Sequence, residues 1–319
     1  RSHDCLKINV LSSISRVIAQ SPVEKSPFLS MEFSLDRRRQ FLQNRPVPEP
    51  RISIFVAQEK AMQKVPKILV CNDDGITAQG IKALCAVARE FGEVIVVAPD
   101  SAQSGMGHAI TIGEPLRLVE EEFEPGHKGW ACSGTPADCV KLATGVLMTE
   151  KPDLLISGIN HGPNYSISVV YSGTMSAAME GAIEGIPSIG FSLCDFAHDA
   201  DFSAAKEVAR VVIRKALHAH MPPGTLLNVN IPKLPMAEIK GFRITRQAIG
   251  RWIEEFDQRL DPYGRKYYWL TGKFKQEDEG HDTDTWALDN GYVSVCPVQF
   301  DLTAHHAMAA FNQWNLQIP

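Results

Sequence analysis

Four short runs in this chain, "KILVC" (67–71), "EVIVVAP" (93–99), "PDLLISG" (152–158) and "PSIGFSL" (187–193), carry apolar side chains at consecutive positions. A strand with one wet face alternates apolar and polar residues, because successive side chains point to opposite sides. Runs that do not alternate need cover on both faces, as in a parallel sheet lying between two layers of helices. Helical periods fall between the runs. One passes through Ile81, Leu84, Cys85, Ala88 and Phe91 and stops at Gly92; another occupies "ADCVKLATGVLM"; a third is "SGTMSAAMEGAIEGI". A further short strand, "WAC" (130–132), leads into Thr135-Pro136. The alternation predicts an α/β chain with a doubly wound, Rossmann-like parallel sheet.

The rhythm changes on either side of this core. After about residue 240, "YGRKYYWLTG" and "GYVSVCPVQFDL" read as strands separated by polar segments, so residues 241–319 are expected to be a β-rich arm used in oligomerisation. Residues 1–61 carry 10 Lys/Arg against 6 Asp/Glu, while the rest carries 22 against 31. With "SPVEKSPF", "DRRRQ" and "NRPVPEPR" but no sustained period, this segment is expected to be disordered or non-native. Met62 then becomes the natural start, with the preceding residues coming from translated upstream or vector DNA. The competing reading makes "LKINVLSSISRVIAQS" an amphipathic targeting or regulatory arm. The catalytic core is thereby assigned to 62–240.

Composition narrows the function. A net charge of −5 argues against general nucleic-acid binding. No apolar run is long enough to span a bilayer, and no secretory signal is evident. The seven cysteines form no CxxC pair and read as reduced thiols of a cytoplasmic protein.

Ligands of open α/β sheets bind beyond the carboxyl ends of the strands. Asp73 and Asp74 follow the first run, "PDSAQSGMGH" (99–108) the second, "SGINHGPN" (157–164) the next, and "SLCD" the last. Either aspartate alone suits a cap on a helix starting near Thr77. Two adjacent carboxylates are better explained by a hard divalent cation, with Ser104 and Asn160 as neutral oxygen ligands. Ser172, Gly173 and Thr174 open a predicted helix and suit an anion such as phosphate. Ser133, Gly134 and Thr135 repeat the pattern, but Pro136 makes simple capping the better reading there.

Several chemistries are excluded. "GMGHAI" lacks the third glycine of a dinucleotide fingerprint, and neither GxxxxGK[ST] nor GxSxG occurs. Asn72 occupies the position where a DxD phosphatase carries its nucleophile. Metal-assisted attack by water is what remains. His108 is the favoured acid–base assistant and His161 the lesser one; the adjacent His305 and His306 read as structural.

The blocks "ILVCNDDGITAQGI", "VVAPDSAQSGMGHAIT", "SGTPADCVKLA", "LLISGINHGPN" and "YSGTMSAAMEGAIEGIPSIGFSL" together resemble the stationary-phase survival protein (SurE) family, from about residue 66 to about 312. The later blocks "LLNVNIP", "ITRQ" and "GYVSVCPVQFDLTAH" extend the likeness. The resemblance implies a metal-dependent 5′/3′-nucleotidase that hydrolyses nucleoside monophosphates. It implies one divalent ion per subunit, Mg²⁺ or Mn²⁺, held by Asp73, Asp74, Ser104 and Asn160. It also implies a homodimer or homotetramer whose C-terminal segments exchange. The candidate phosphate contacts are Gly105, Asn164, Ser172, Gly173 and Thr174. One departure is His108, where many members carry Asn. The alternatives are a short-chain polyphosphatase or other small-phosphomonoester phosphatase, and a non-catalytic nucleotide sensor.

Overall fold

The computed structural model describes residues 64–318. The expectations for residues 1–61 lie outside this range. The core begins with β1 (Lys67–Cys71), α1 (Gln79–Ala88), β2 (Glu93–Pro99), β3 (Leu118–Glu124), β4 (His127–Cys132) and α2 (Pro136–Leu142). It continues with β5 (Leu154–His161), α3 (Ser168–Tyr171), α4 (Gly173–Ile183), β6 (Ser188–Leu193), α5 (Ser203–His218) and β7 (Thr225–Ile231). The remainder comprises β8 (Phe242–Ile244), β9 (Gly250–Leu260), β10 (Lys266–Gln276), α6 (Asp284–Asp289), β11 (Val293–Gln299) and α7 (Met308–Asn312).

Nine strands form one sheet in the order β3-β4-β2-β1-β5-β6-β7-β11-β8. The run from β4 to β7 is parallel throughout. Its cover is the one the unbroken apolar runs require. Ile68 and Val70 of β1 pack with Ile81 and Leu84 of α1 and Val208 of α5. The intervening Leu69 and Cys71 face Val140 of α2 and Met175 and Ala178 of α4. Each of these side chains is fully buried, worth about 1.5–3 kcal/mol for a Leu or Ile.

Two features differ from the expectation. "GYVSVCPVQFDL" is not part of an arm: β11 pairs antiparallel with β7 and parallel with β8, inside the main sheet. Residues beyond 240 therefore complete the core's edge, and only β9 and β10 form a separate two-stranded ribbon, register-paired from Gly250–Gln276 to Leu260–Lys266. The strand "WAC" also has an antiparallel partner, β3, whose sequence "LVEEEFE" hides it among glutamates. Among the described residues, no helix is long and apolar enough to cross a membrane.

The strand order reverses its direction of growth between β1 and β5: β2 and β4 lie to one side, β6 and β7 to the other. A crevice opens beyond the carboxyl ends of two strands whose connections leave in opposite directions. Asp73 and Asp74 follow one of those ends, and Asn160 and His161 form the other.

Candidate active site

A cleft of about 230 Å³ at this switch point is lined by Asp73, Asp74, Ser104, Gly105, Asn160 and Asn164, with His161, Ser172, Tyr171 and Trp252 among the other walls. All four expected metal ligands are thus brought together. Neither aspartate caps α1, whose N-cap position is Ala78 and carries no side-chain cap. Asp73 is buried, 5% exposed. Its carboxyl is pushed up to about 6, first by burial and then by the neighbouring Asp74 charge. The Thr174 hydroxyl and backbone donate to it and offset part of that rise.

These bonds correct the reading of the α4 terminus. Gly173 and Thr174 do not line the cleft; they stand behind Asp73 and support its charge. A Cβ on Gly173 would lie 2.5 Å from the Asp73 Cβ, so only glycine allows the helix end to come this close. Ser172 lines the cleft, and its hydroxyl caps α4 by accepting from the Met175 amide at 3.0 Å. The similar motif at Thr135 is a plain capping box with Asp138, as its proline indicated.

Asn160 donates its amide to the carbonyls of Gly162 (2.8 Å) and His161 (3.2 Å), which leaves Oδ1 as its free acceptor. Asn164 is fixed from several sides. Its backbone amide donates to Asn230 Oδ1 (2.7 Å), its carbonyl accepts from Asn228 (2.7 Å), and its side chain donates to Ser192 (2.8 Å). Asn72 donates to the Gly75 carbonyl at 2.9 Å and holds the turn that presents the two aspartates.

The histidines exchange places. His108 is absent from the cleft lining; its Nε2 lies 2.8 Å from Glu180 Oε2, which belongs to the buried side of α4. Burial opposes ionisation of Glu180, but hydrogen bonds from His108 and Lys141 outweigh it and hold the carboxyl below its ordinary range. The expected acid–base role thus loses its geometry, and His108 is a tether for its loop. His161 does line the cleft, with Nδ1 3.4 Å from Asp74 Oδ2 and its ring edge-on to Phe202. His305 pairs with Asp301 at the surface (2.8 Å). Asp195 of "SLCD" is bound by Lys233 (2.9 Å) and does not join the site.

Comparison with known proteins gives the family. The family model described as "Survival protein SurE" matches residues 68–254. The chain belongs to the SurE family. A protein of Christiangramia forsetii named 5′-nucleotidase SurE is 58% identical over 258 residues, covering 80% of this chain and 98% of its own length. A protein of the same name from Chlorobium luteolum is 46% identical over 258 residues, covering 81% and 99%. Among solved structures, the SurE protein from Aquifex aeolicus is similar with a TM-score of 0.68 and 42% identity, over 79% of this chain and 100% of that one.

The SurE match encloses every cleft residue named above, Trp252 included. A divalent ion fits the donor set. Among the described residues no three His, Cys, Asp or Glu side chains gather to hold a metal. The site instead combines two carboxylates with the neutral oxygens of Ser104 and Asn160, a mixture suited to a hard cation. A cation would also offset the burial and the Asp74 charge that lift Asp73. Tyr171, Ser168, Phe196 and Trp252 are lining residues that sequence reasoning missed. Alternating asparagines in the buried strand "LLNVNIP" were a usable signal for the network around Asn164.

Proposed function

We propose that this SurE chain hydrolyses nucleoside 5′-monophosphates, and 3′-monophosphates, to nucleoside and phosphate. The observation that carries the reading is the set of four oxygen donors, Asp73, Asp74, Ser104 and Asn160, facing one cleft at the switch point. The relatives named as 5′-nucleotidases support it. These four residues would hold one Mg²⁺ or Mn²⁺. Such an ion, when bound, polarises a phosphoryl oxygen and lowers the pKa of water. Asn164, Ser172 and the Gly105 backbone, which line the cleft, would orient the phosphoryl group by hydrogen bonds. Asp74, the more open carboxylate, would take the proton of the attacking water, with His161 Nδ1 steadying its Oδ2. The β9–β10 ribbon exposes Phe256, Leu260 and Trp269, an apolar surface that supports assembly into a homodimer or homotetramer. The six free cysteines of the described residues support a cytoplasmic protein.

The test is phosphate release from nucleoside monophosphates, short polyphosphate and sugar phosphates, each with Mg²⁺, Mn²⁺, Co²⁺ or EDTA. Nucleotide hydrolysis that needs a divalent ion is expected. Faster cleavage of polyphosphate or sugar phosphate would replace the substrate, and nucleotide binding without turnover at any ion would make the chain a sensor.

A further inference from the structure

The catalytic cleft continues into a second groove of about 440 Å³ that shares Gly105, Tyr171 and Trp252 with it and adds Glu254, Leu270, Thr271 and Gly272. This groove lies between the core and the base of the β9–β10 ribbon. Resting on the nucleotidase reading, we propose that it is the nucleobase slot, and that Glu254 selects bases presenting amino donors, guanine first.

The placement follows from the ribbon's register. Trp252 and Glu254 are two apart in β9 and share a face, where their partners across the ribbon are Phe274 and Gly272. Trp252 meets Phe274 edge-on at 5.8 Å, and Phe274 meets Tyr165 of the core at 5.3 Å, so the ribbon's base is anchored beside the cleft. Opposite Glu254, Gly272 adds no side chain to the groove. Trp252 and Tyr171 offer aromatic faces on which any base can stack.

Glu254 is the one charged side chain among the groove's lining residues. An ionised carboxylate only accepts hydrogen bonds. Guanine presents two adjacent donors, N1–H and the N2 amine, which a carboxylate can take together. Hypoxanthine lacks the N2 amine, and adenine has a single exocyclic one. Uracil flanks its one N–H with two carbonyls that a carboxylate repels. The Thr271 hydroxyl already donates to the Glu255 carbonyl (2.9 Å), so it leaves Glu254 free.

The experiment measures kcat/KM for GMP, IMP, AMP and UMP with Mn²⁺, alongside phenyl phosphate, which has no base. The wild type is expected to prefer GMP over UMP by about tenfold, with IMP between them. Glu254→Gln should bring the GMP/UMP ratio close to one. Trp252→Ala should raise KM for all four nucleotides by about tenfold. Equal kcat/KM for GMP and UMP in the wild type, or an unchanged ratio in E254Q, overturns the slot while nucleotide turnover stands. Cleavage of phenyl phosphate without any nucleotide defeats the nucleotidase reading itself, and the slot with it.

Discussion

Two segments each deliver one neutral oxygen to the cleft, and they do so by opposite means. Asn160 is still in a strand: it pairs with Ser192 of β6, and the next residue, His161, pairs with Leu193. Its position is set by the sheet. Ser104 rides on the connection between β2 and β3, where Ser104, Gly105 and Met106 are all exposed. That loop is held by tethers: Gln103 N to the Asp73 carbonyl (2.7 Å), Gly107 N to the Tyr171 carbonyl (3.2 Å), Ser176 Oγ to the Gly107 carbonyl (2.5 Å), and His108 to Glu180. One arm of the site is therefore as stable as the fold, and the other only as stable as a few hydrogen bonds from its loop. Local opening draws on segments of the second kind.

The largest effect is expected where both arms converge. Asp73→Asn or Asp74→Asn removes a charged ligand, and the several kcal/mol of charge stabilisation that a bound ion supplies goes with it. Turnover should fall about 10³-fold while circular dichroism stays native. Near-normal turnover in both purified variants would remove the metal site from these residues, and with it the meaning of the two arms.

Proton competition at Asp73 gives the next effect. Its pKa rises from 3.8 to about 6 in the folded chain, so the protonated form is the one that folding favours. The contribution to stability is complete below the ordinary value and is lost as pH rises through about 6. The metal-free protein should therefore lose about 2 kcal/mol between pH 4 and 7 at this group, and Asp73→Asn should flatten that part of the profile. A cation requires the carboxylate, so Mn²⁺ affinity should weaken by about tenfold per pH unit below pH 6. Calorimetric titrations at pH 5 and pH 7 check this; equal affinities would mean that Asp73 is ionised at both.

The strand-held arm was the legible one. Runs such as "KILVC" and "PDLLISG" declare a two-sided sheet, and residues at their carboxyl ends can be assigned to the crevice without knowing any side-chain contact. Asp73, Asp74 and Asn160 followed from that rule, and Ser104 came from the polar block after "EVIVVAP". What could not be read depends on partners distant in sequence. Whether His108 or His161 faces the cleft is decided by Glu180, 72 residues from His108, and by Asp74, 87 residues from His161. Thr174 looked like an anion ligand because a helix terminus attracts any negative charge, and here that charge is Asp73. Trp252 reaches the cleft only because the ribbon's base docks through Phe274 and Tyr165. The edge strand β3 was hidden by its own glutamates, which an exposed antiparallel edge tolerates and a central strand would not.

The smallest effect separates the two arms most directly. His108→Ala cuts one tether of the Ser104 loop and leaves buried Glu180 with Lys141 as its remaining side-chain partner (2.5 Å). Losing a hydrogen bond to a buried carboxylate costs about 1–3 kcal/mol, so the melting temperature should drop. A merely structural role would stop there. A tether predicts more: the Mn²⁺ dissociation constant should rise about threefold to tenfold, below the usual 10–100-fold for groups that orient metal ligands, because other contacts still hold the loop. His108→Gln restores a donor of similar reach and should recover the affinity even if the melting temperature stays low. Equal metal affinity in the Ala and Gln variants would show that the loop keeps Ser104 in place without His108, and the two arms would then be equally rigid.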